Sequence, residues 1–559
     1  MNLLDQLRFL YGADKAPKLW ERVREILADH RKPVSARENA LTERDVILIT
    51  YPDQVRKPGQ NPLRALNHFC LQFLAGLISA IHVLPFCPSS SDDGFSVIDY
   101  RQVDPALGDW RDIAAIQDSF QLMFDAVINH VSAQSFWFRS FLQGDLRYRD
   151  HFIEPGGSDD LSKVVRPRAL PLLTSFSTPS GVKRVWTTFG PDQIDLNFEN
   201  PEVLLEILDV LLTYVDRGAT FLRLDAIAYL WKQGGTKCIH LPQTHHLIQF
   251  FRSALDEVAP HVRLITETNV PHVENLSYFG NGFNEAQLVY NFALPPIVLH
   301  TFYTQDSTAL SRWAASLRAP SDHTTFLNFL ASHDGIGLNP LRGILSSAEI
   351  DALVQNATVR GALISHRYES DGAEVPYELN VNYFDALGAL EPGELLDLHV
   401  DRFLAAQAIM LSLVGVPAVY FHSLFGSRGW WQGVNETGRN RSVNREKCDL
   451  TALQQQLSDP TSLRSKVFSR YSQLISVRRT SPAFHPHGGQ RVLEMDPSVL
   501  ALERTSPSGD ARMLVLINVS PQSVVLAISV NAGVDLLGDT HRDGNRLILK
   551  PYQISWIKV

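Results

Sequence analysis

Eight short apolar segments recur along this chain, and most are followed by a stretch in which apolar residues repeat every three or four positions. Near-continuous apolar runs are typical of strands buried on both faces of a parallel sheet, and the intervening spacing is typical of amphipathic helices. The segments read DVILITYP, SAIHVLPF, QLMFDAVINH, FLRLDAIAY, VRLITETN, QLVYNF, FLNFLASHD and VPAVYF. Eight buried strands alternating with helices predict an α/β fold, the (β/α)8 or TIM barrel.

Two of the predicted connections are too long for ordinary barrel loops. Residues 131–198, after the third strand, are rich in Pro, Arg, Ser and Gly and predict a subdomain inserted over the barrel mouth. Residues 339–391, after the seventh strand, predict a lid. Beyond about residue 482, short alternating strands at hairpin spacing are typical of a β-sandwich. The expected domains are the catalytic barrel at 1–130 and 199–481, the insert at 131–198, and the sandwich at 482–559.

Charge and cysteine usage limit the partners and the compartment. The net charge of −9 over 559 residues argues against a nucleic-acid or anionic-membrane surface. The longest near-apolar run, 404–421, is almost long enough to span a bilayer. It contains Gln407 and Pro417, however, and so predicts a buried helix, a turn and a strand. Four scattered cysteines without a CxxC pair are typical of reduced thiols in a cytoplasmic protein. The sequence leaves the oligomeric state open.

A cluster of potential metal ligands follows the fourth strand in the segment CIHLPQTHH. It contains Cys238, His240, His245 and His246. Their spacing matches no standard zinc pattern, so the segment is interpreted as a loop and a helix start. We therefore expect no metal ion and no cofactor.

The fourth predicted strand carries opposite charges two positions apart, at Arg223 and Asp225. Residues i and i+2 of a strand share a face, so both side chains should point into one site. Charges inside a core are costly unless they are paired. Taken alone, this pattern fits a structural ion pair as well as it fits an active site.

Two further carboxylates, Glu267 and Asp334, follow the fifth and seventh predicted strands. The carboxyl ends of barrel strands meet at one face, so these groups and Asp225 are expected to converge. Retaining glycoside chemistry needs a carboxylate nucleophile and a carboxylic acid about 5 Å apart. Arg223 should lower the pKa of Asp225, whereas Glu267 has no adjacent cation in sequence and should stay protonated when buried.

At these positions the sequence resembles the α-amylase family, glycoside hydrolase family 13, of retaining glycosidases and transglucosidases. The four signature regions correspond to FDAVINH, FLRLDAIAY, LITETN and FLASHD, in the family's order and spacing. The resemblance implies Asp225 as nucleophile, Glu267 as general acid/base and Asp334 as stabiliser of the transition state. It also implies that Arg223, His130 and His333 contact the sugar. Considered without the resemblance, His130 is typical of a histidine in the core.

Within that family the chain looks most like the sucrose-phosphorylase-like subfamily, and in particular the glucosylglycerate phosphorylases. The motifs SSDDGFSVIDY, PRALPLLTSF, WTTFGPDQIDLNF, ASHDGIGLNPLRG and PYELNVNYFDALG carry this likeness. It implies that Asp92 pairs with Arg445 to hold the far hydroxyl of the donor glucose, and that Phe95, by itself typical of a core residue, stacks on the ring. It also implies that Phe189 and Gln193 line the acceptor side and that Tyr229 and Asn269 lie near it.

The chain also departs from many amylases. Its eighth-strand region, GVPAVYFHS, lacks the usual Gly-x-Glu ending, which weakens a starch-hydrolase interpretation. There is also no obvious acidic cluster near Asn129 for the structural calcium of amylases.

Two arginines in the predicted insert, Arg166 and Arg168, lie in a loop stiffened by prolines, VVRPRALP. Solvated surface charge is the ordinary role of arginines in loops. Planar guanidinium groups also suit phosphate and carboxylate recognition. Because the loop is expected over the barrel mouth, we predict that at least one of the two binds an anion.

The function implied by the resemblance is phosphorolysis with net retention. The substrate would be 2-O-α-D-glucosylglycerate, and the products would be α-D-glucose 1-phosphate and D-glycerate. Sucrose or glucosylglycerol phosphorylase, a retaining α-glucosidase or transglucosidase, and an inactive binding subunit of the same fold remain alternatives. The expected partners are therefore a small α-glucoside and inorganic phosphate.

Overall fold

Eight parallel strands form a closed barrel in the computed structural model, which describes residues 2–31, 40–157, 159–368, 373–389, 393–527, 533–538, 541–543 and 546–559. Each strand pairs with its neighbours in chain order, and the last closes the ring on the first. In chain order, β1 to β8 are Ile47–Thr50, Ala80–Val83, Gln121–Ala126, Ala219–Leu224, Arg263–Thr266, Leu288–Tyr290, Thr325–Asn328 and Val416–Tyr420. The (β/α)8 barrel and its eight predicted strands are confirmed.

The register between β4 and β5 decides where the functional carboxylates emerge. Leu224, the last residue of β4, lies beside Thr266, the last residue of β5. Asp225 directly follows β4 and Glu267 directly follows β5, so the two residues leave adjacent strands at the same level. The sequence pattern alone placed them at strand ends; the register makes them neighbours.

Helices pack around the barrel, and several of them begin at a residue whose side chain accepts a hydrogen bond from a free N–H group of the first turn. Asn200 accepts a hydrogen bond from the Glu202 N–H at the start of Pro201–Asp216. The other α-helices are Leu3–Tyr11, Ala16–Asp29, Pro62–Phe73, Trp110–Gln117, Phe136–Leu142, Pro242–Val258, His272–Leu276, Leu294–Thr304, Thr308–Ser316, Ser347–Val359, Tyr383–Ala386, Leu396–Ser412, Trp431–Thr437, Leu450–Ser458 and Leu463–Arg479.

The near-apolar run 404–421 forms the end of helix Leu396–Ser412, a turn at Gly415 and strand β8. This arrangement agrees with the helix, turn and strand expected from its polar residues. Among the described helices, none is long and apolar enough to cross a membrane.

Extra structure follows β3 and β7, where long connections were predicted. After β3, strand His130–Ser132 pairs with Gln193–Asp195, and Leu173–Thr178 forms a hairpin with Gly181–Trp186. After β7, the connection is more regular than expected, because the antiparallel strands Ile336–Gly337, Glu374–Asn380 and Leu363–Tyr368 form a small sheet. A pair of short strands, Val55–Arg56 and Cys448–Asp449, lies outside the barrel.

The C-terminal region contains two antiparallel sheets, as the alternating pattern predicted. The larger has the order Gly489–Val492, Val499–Thr505, Arg512–Asn518, Ile554–Lys558 and Val534–Asp535, and the smaller has the order Val524–Ala527, Arg546–Leu549 and His541–Asp543. Apolar side chains from both, such as Leu516 and Leu547, form a core separate from that of the barrel. The domain boundaries at residues 131, 198 and 482 stay predictions.

Candidate active site

The buried guanidinium of Arg223 links the carboxylates at the ends of β3, β4 and β5. It donates to Asp225 at 2.7 Å, lies 3.9 Å from Glu267 and also contacts Asp125 of β3. Asp125 is bonded in turn to His82 of β2 at 2.7 Å. The Arg223–Asp225 pattern is therefore an ion pair, and it lies in the centre of the predicted site; the catalytic role of Asp225 stays a prediction.

Burial changes the acidity of the two central carboxyl groups. It raises the pKa of Glu267 to about 7, with Arg223 opposing and Asp225 reinforcing the shift. It also raises the pKa of Asp225, because desolvation outweighs the attraction of Arg223. The sequence predicted a lowered pKa for Asp225, and that direction is wrong because the cost of burial was not counted. Since Arg223 bonds directly to Asp225 and lies farther from Glu267, we assign the ionised form to Asp225 and the proton to Glu267.

This proton assignment predicts a pH dependence. A general acid works in its protonated form, so we expect kcat/KM for a natural glucoside to fall as pH rises through about 7, the pKa of Glu267. The measurement is the pH profile of glucoside cleavage at low substrate concentration. An α-glucosyl fluoride, whose leaving group needs little protonation, is the control and should lose much less activity. An identical alkaline limb for both donors would contradict the assignment.

The backbone next to Asp225 holds the carboxyl group of Glu267. The Ala226 N–H donates to Glu267 at 2.9 Å. Ala226 takes up left-handed backbone angles, with φ of 48° and ψ of 34°. Such a conformation costs a non-glycine residue about 1 kcal/mol or more and is found mostly at functional sites. No sequence pattern indicated this contact.

Asp334 belongs to a second group of charges at the same mouth. Arg441 donates to Asp334 at 2.6 Å and lies 2.9 Å from Glu378. Although burial opposes it, this arginine holds the pKa of Asp334 well below its usual range, with His333 and Arg445 contributing less. Asp334 is therefore ionised, which is the state that its predicted role as stabiliser of the transition state requires.

Sequence reasoning missed three residues that line the same cavity as Asp225, Glu267 and Asp334: Arg441, Glu378 and Tyr377. Glu378 accepts from the Gly335 N–H at 2.8 Å, and the Tyr377 hydroxyl accepts from Asn269 at 3.1 Å. Tyr377 and Glu378 lie in PYELNVNYFDALG, one of the motifs that carry the subfamily likeness, but no role was predicted for them, and Arg441 lies outside all of those motifs. The repeated arginines of GRNRSVNREK were the one visible signal for Arg441.

Most predicted site residues do line one cavity at the carboxyl ends of the strands. Its lining includes Asp92, Phe95, His130, Arg168, Phe189, Gln193, Asp225, Glu267, Asn269, His333 and Asp334. Arg223 and Arg445 are buried beside it. Tyr229 packs edge-on against Phe189, with ring centres 5.4 Å apart. Arg166 is not part of the lining; it is exposed and its nearest described acceptor is the carbonyl of Leu170 at 3.5 Å.

The predicted ion pair between Asp92 and Arg445 is wrong, because each of these residues pairs with a different one. Asp92 accepts from Arg168 at 2.9 Å, whereas Arg445 contacts the neighbouring carboxylate, Asp93. Asp92 and Asp93 have φ of 53° and 49° in a tight turn, which directs the two carboxylates to different sides. Asp92 is nevertheless ionised, because Arg168, with Arg441 next, overcomes burial and lowers its pKa strongly.

Phe95 and the two histidines form the wall predicted to hold the sugar. The ring of Phe95 stacks on that of His333 at 4.9 Å with an angle of 4°, and His130 bonds to the Phe95 carbonyl at 2.9 Å. Burial lowers the pKa of both histidines, that of His333 to about 3. They are therefore neutral near pH 7 and can exchange hydrogen bonds with hydroxyl groups without adding charge.

Near Asn129, where the structural calcium of amylases was considered, the structure has the ammonium group of Lys232. It donates to Asn129 at 2.8 Å and lies 2.7 Å from Asp195. All three side chains are buried.

The histidines of CIHLPQTHH contact separate partners: His240 contacts Tyr278 and Glu274, His245 contacts Glu285, and His246 contacts Gln6.

One further group of potential metal ligands lies outside this cavity. Among the described residues, His422, Glu446 and Cys448 have ligand atoms within 4.8 Å of one another. Arg464 lies 3.5 Å from the Cys448 sulfur and 3.6 Å from Glu446. Since a cation already stands beside these atoms, they are poorly suited to bind another.

Comparison with known proteins assigns the family. Residues 70–335 match the α-amylase catalytic domain. The whole chain is 50% identical, over 556 residues, to the glucosylglycerate phosphorylase of Allomeiothermus silvanus, covering 100% of this chain and 98% of that protein. This chain belongs to the α-amylase family. Glucosylglycerate phosphorylase of Escherichia coli K12 is 44% identical over 559 residues, the full length of both chains.

A solved structure of the same family has the same architecture. The crystal structure of sucrose 6F-phosphate phosphorylase from Thermoanaerobacter thermosaccharolyticum superposes with a TM-score of 0.75 at 27% identity, covering 87% of this chain and 96% of that one. The resemblance to the α-amylase family, which was inferred from four short motifs, is thus confirmed.

Proposed function

We propose that the protein is a retaining glycoside phosphorylase. It cleaves 2-O-α-D-glucosylglycerate with inorganic phosphate and yields α-D-glucose 1-phosphate and D-glycerate. The observation that carries the proposal is the 50% identity, over all of this chain, to a protein named glucosylglycerate phosphorylase. The ionised Asp225 and protonated Glu267 on adjacent strands supply the two groups that a retaining reaction needs.

In the first half-reaction, a carboxylate oxygen of Asp225 attacks C1 of the glucosyl unit. The bond between C1 and the glyceryl oxygen breaks, and that oxygen takes the proton of Glu267 as D-glycerate leaves. Asp334, ionised beside Arg441, stabilises the positive charge that develops on the sugar ring. The product is a glucosyl ester of Asp225.

In the second half-reaction, a phosphate oxygen attacks C1 of that ester from the side vacated by glycerate. That oxygen is the hydroxyl oxygen of hydrogen phosphate: the bond from C1 to Asp225 breaks, and the proton of the hydroxyl passes to the Glu267 carboxylate, which is then ready for the next cycle. Two inversions give net retention. Phosphate is a better nucleophile than water and needs less help from a base.

Phosphate and glycerate are both small anions that occupy the same place in turn. Of the two arginines predicted to bind an anion, Arg168 is the better supported, because it lines the cavity and lies 2.9 Å from Asp92. Its other guanidinium nitrogen is near the Phe189 carbonyl and Gln193, at 3.3 and 3.5 Å. Those two contacts are long, so an anion can replace them at little cost.

The alternatives are sucrose or glucosylglycerol phosphorylase and a retaining glucosidase or transglucosidase. Purified protein should be incubated with sucrose, glucosylglycerol, glucosylglycerate and sucrose 6′-phosphate, with and without phosphate. We expect phosphate-dependent release of glucose 1-phosphate, fastest from glucosylglycerate. Equal glucose release without phosphate would favour a hydrolase, and a preference for a neutral acceptor would overturn the substrate assignment.

Arg168 and Arg166 offer a matched pair of variants for the anion site. A charge-assisted contact contributes about 1.5–3 kcal/mol, so Arg168→Ala should lower kcat/KM for both anions by roughly 10- to 100-fold. Because this change also leaves Asp92 without its ion pair, the readout is the ratio of activity with glycerate to that with glycerol in reverse synthesis. Arg166→Ala, two residues away and outside the cavity, should leave the ratio unchanged. An unchanged ratio in Arg168→Ala would place the anion site elsewhere.

A further inference from the structure

The catalytic cavity is lined by more negative than positive groups. Among the described residues, five carboxyl groups and two arginines line it: Asp92, Asp225, Glu267, Asp334 and Glu378 against Arg168 and Arg441. With Glu267 protonated the carboxylates still outnumber the arginines, and His130 and His333 are neutral. Phosphate and glycerate must therefore approach a cavity whose lining does not attract them, in a chain with a net charge of −9.

The arginines nearest the reacting groups already have carboxylate partners. Arg168 pairs with Asp92, Arg441 with Asp334 and Glu378, and Arg445 with Asp93. Arg223 is buried between Asp125 and Asp225. A cation that is neutralised in this way contributes little to the field felt by an anion still outside the cavity.

Arg439 differs from these arginines. It lines a second, outer cavity, which shares Arg168, Tyr377 and Glu378 with the catalytic cavity and so forms its vestibule. Its side chain is exposed, and within the described parts of the chain it has no ion-pair partner. Gly438, with φ of 66°, ends helix Trp431–Thr437 and turns the chain here. The turn sets an uncompensated positive charge at the opening.

We propose that Arg439 is the residue that captures anionic substrates at the vestibule. The inference rests on the proposed function, because only anionic substrates would benefit. Arg439 acts by charge before the anion reaches Arg168, so its effect should be screened by salt, with a Debye length of about 10 Å at 0.1 M ionic strength. It is a residue for substrate capture and selectivity and takes no part in bond breaking.

The test compares Arg439→Gln, Arg439→Lys and the matched control Arg24→Gln, which removes an exposed charge from helix Ala16–Asp29 far along the chain. The readout is the ratio of kcat/KM for phosphate to kcat/KM for glycerol as acceptors of the glucosyl-enzyme, at low and high salt. We expect Arg439→Gln to lower the ratio about three- to tenfold at low salt and much less at high salt, as for a screened charge. Arg439→Lys should keep most of the ratio, and Arg24→Gln should not change it.

Two outcomes would overturn the inference while leaving the proposed function intact. One is phosphate-dependent turnover with the same ratio in Arg439→Gln as in the unmodified protein. The other is a salt-independent loss that Arg439→Lys fails to restore, which would indicate a specific structural contact. Absence of phosphate-dependent turnover in the unmodified protein would overturn the proposed function itself, and this inference with it.

Discussion

Asp225→Ala is expected to lower kcat for phosphorolysis by about 10⁴-fold or more, because loss of a covalent nucleophile commonly costs several orders of magnitude. Asp225 is the carboxylate that would form the glucosyl ester, and Glu267 is the proposed carrier of the proton. The loss should therefore be similar for glucosylglycerate and for an α-glucosyl fluoride, since neither can form the ester. The measurement is single-turnover release of the leaving group from each donor.

A second measurement separates loss of the nucleophile from misfolding. Azide added to Asp225→Ala can enter the space of the missing carboxylate and attack C1 of α-glucosyl fluoride directly. One inversion should then yield β-glucosyl azide, opposite in configuration to the normal product. Near-normal turnover of a natural substrate by Asp225→Ala would remove Asp225 from its assigned role, and an α-configured azide product would contradict its position.

Glu267→Gln should lower kcat for glucosylglycerate by about 10²- to 10⁴-fold, the usual contribution of a general acid. The leaving alkoxide is a poor leaving group without a proton, whereas fluoride departs almost unaided. Formation of the glucosyl-enzyme from α-glucosyl fluoride should therefore be largely preserved. Burst kinetics with both donors make the comparison, and equal losses would show that Glu267 does not supply the proton.

The same substitution has a predictable effect on stability. Burial raises the pKa of Glu267 to about 7 in the folded protein. A carboxyl group whose pKa is raised by folding makes the protein less stable as pH rises from its unfolded pKa to its folded one. Glutamine cannot ionise, so Glu267→Gln should unfold at a temperature no lower than the unmodified protein at pH 8. A clear loss of stability at that pH would mean that the ionised form is favourably bound.

Much of the fold was readable from local pattern. Near-continuous apolar runs such as ILIT and VPAVY can be buried only in a sheet covered on both faces, and helical spacing between them leaves the parallel barrel as the natural arrangement. The turn at Gly415 and the helix before it also followed from polar residues within the apolar run. The two C-terminal sheets followed from short strands at hairpin spacing.

The positions of the central carboxylates were equally accessible. A charge at the end of a buried strand is costly unless it is paired, so the strand pattern and the family motifs together direct attention to Asp225, Glu267 and Asp334. Because all strands of a barrel run parallel, their carboxyl ends must meet at one face. Strand order then brings these three groups together.

The sequence by itself determined the barrel, the strand ends that carry Asp225 and Glu267, and the family to which the chain belongs, because each depends on local spacing. Only the tertiary structure decided which arginine pairs with which carboxylate, that burial raises the pKa of Asp225 despite Arg223, and that Arg441 comes to Asp334. Ion pairing depends on side-chain directions set by distant segments, as the turn at Asp92 and Asp93 shows. Desolvation depends on everything packed around a group, which no local pattern records.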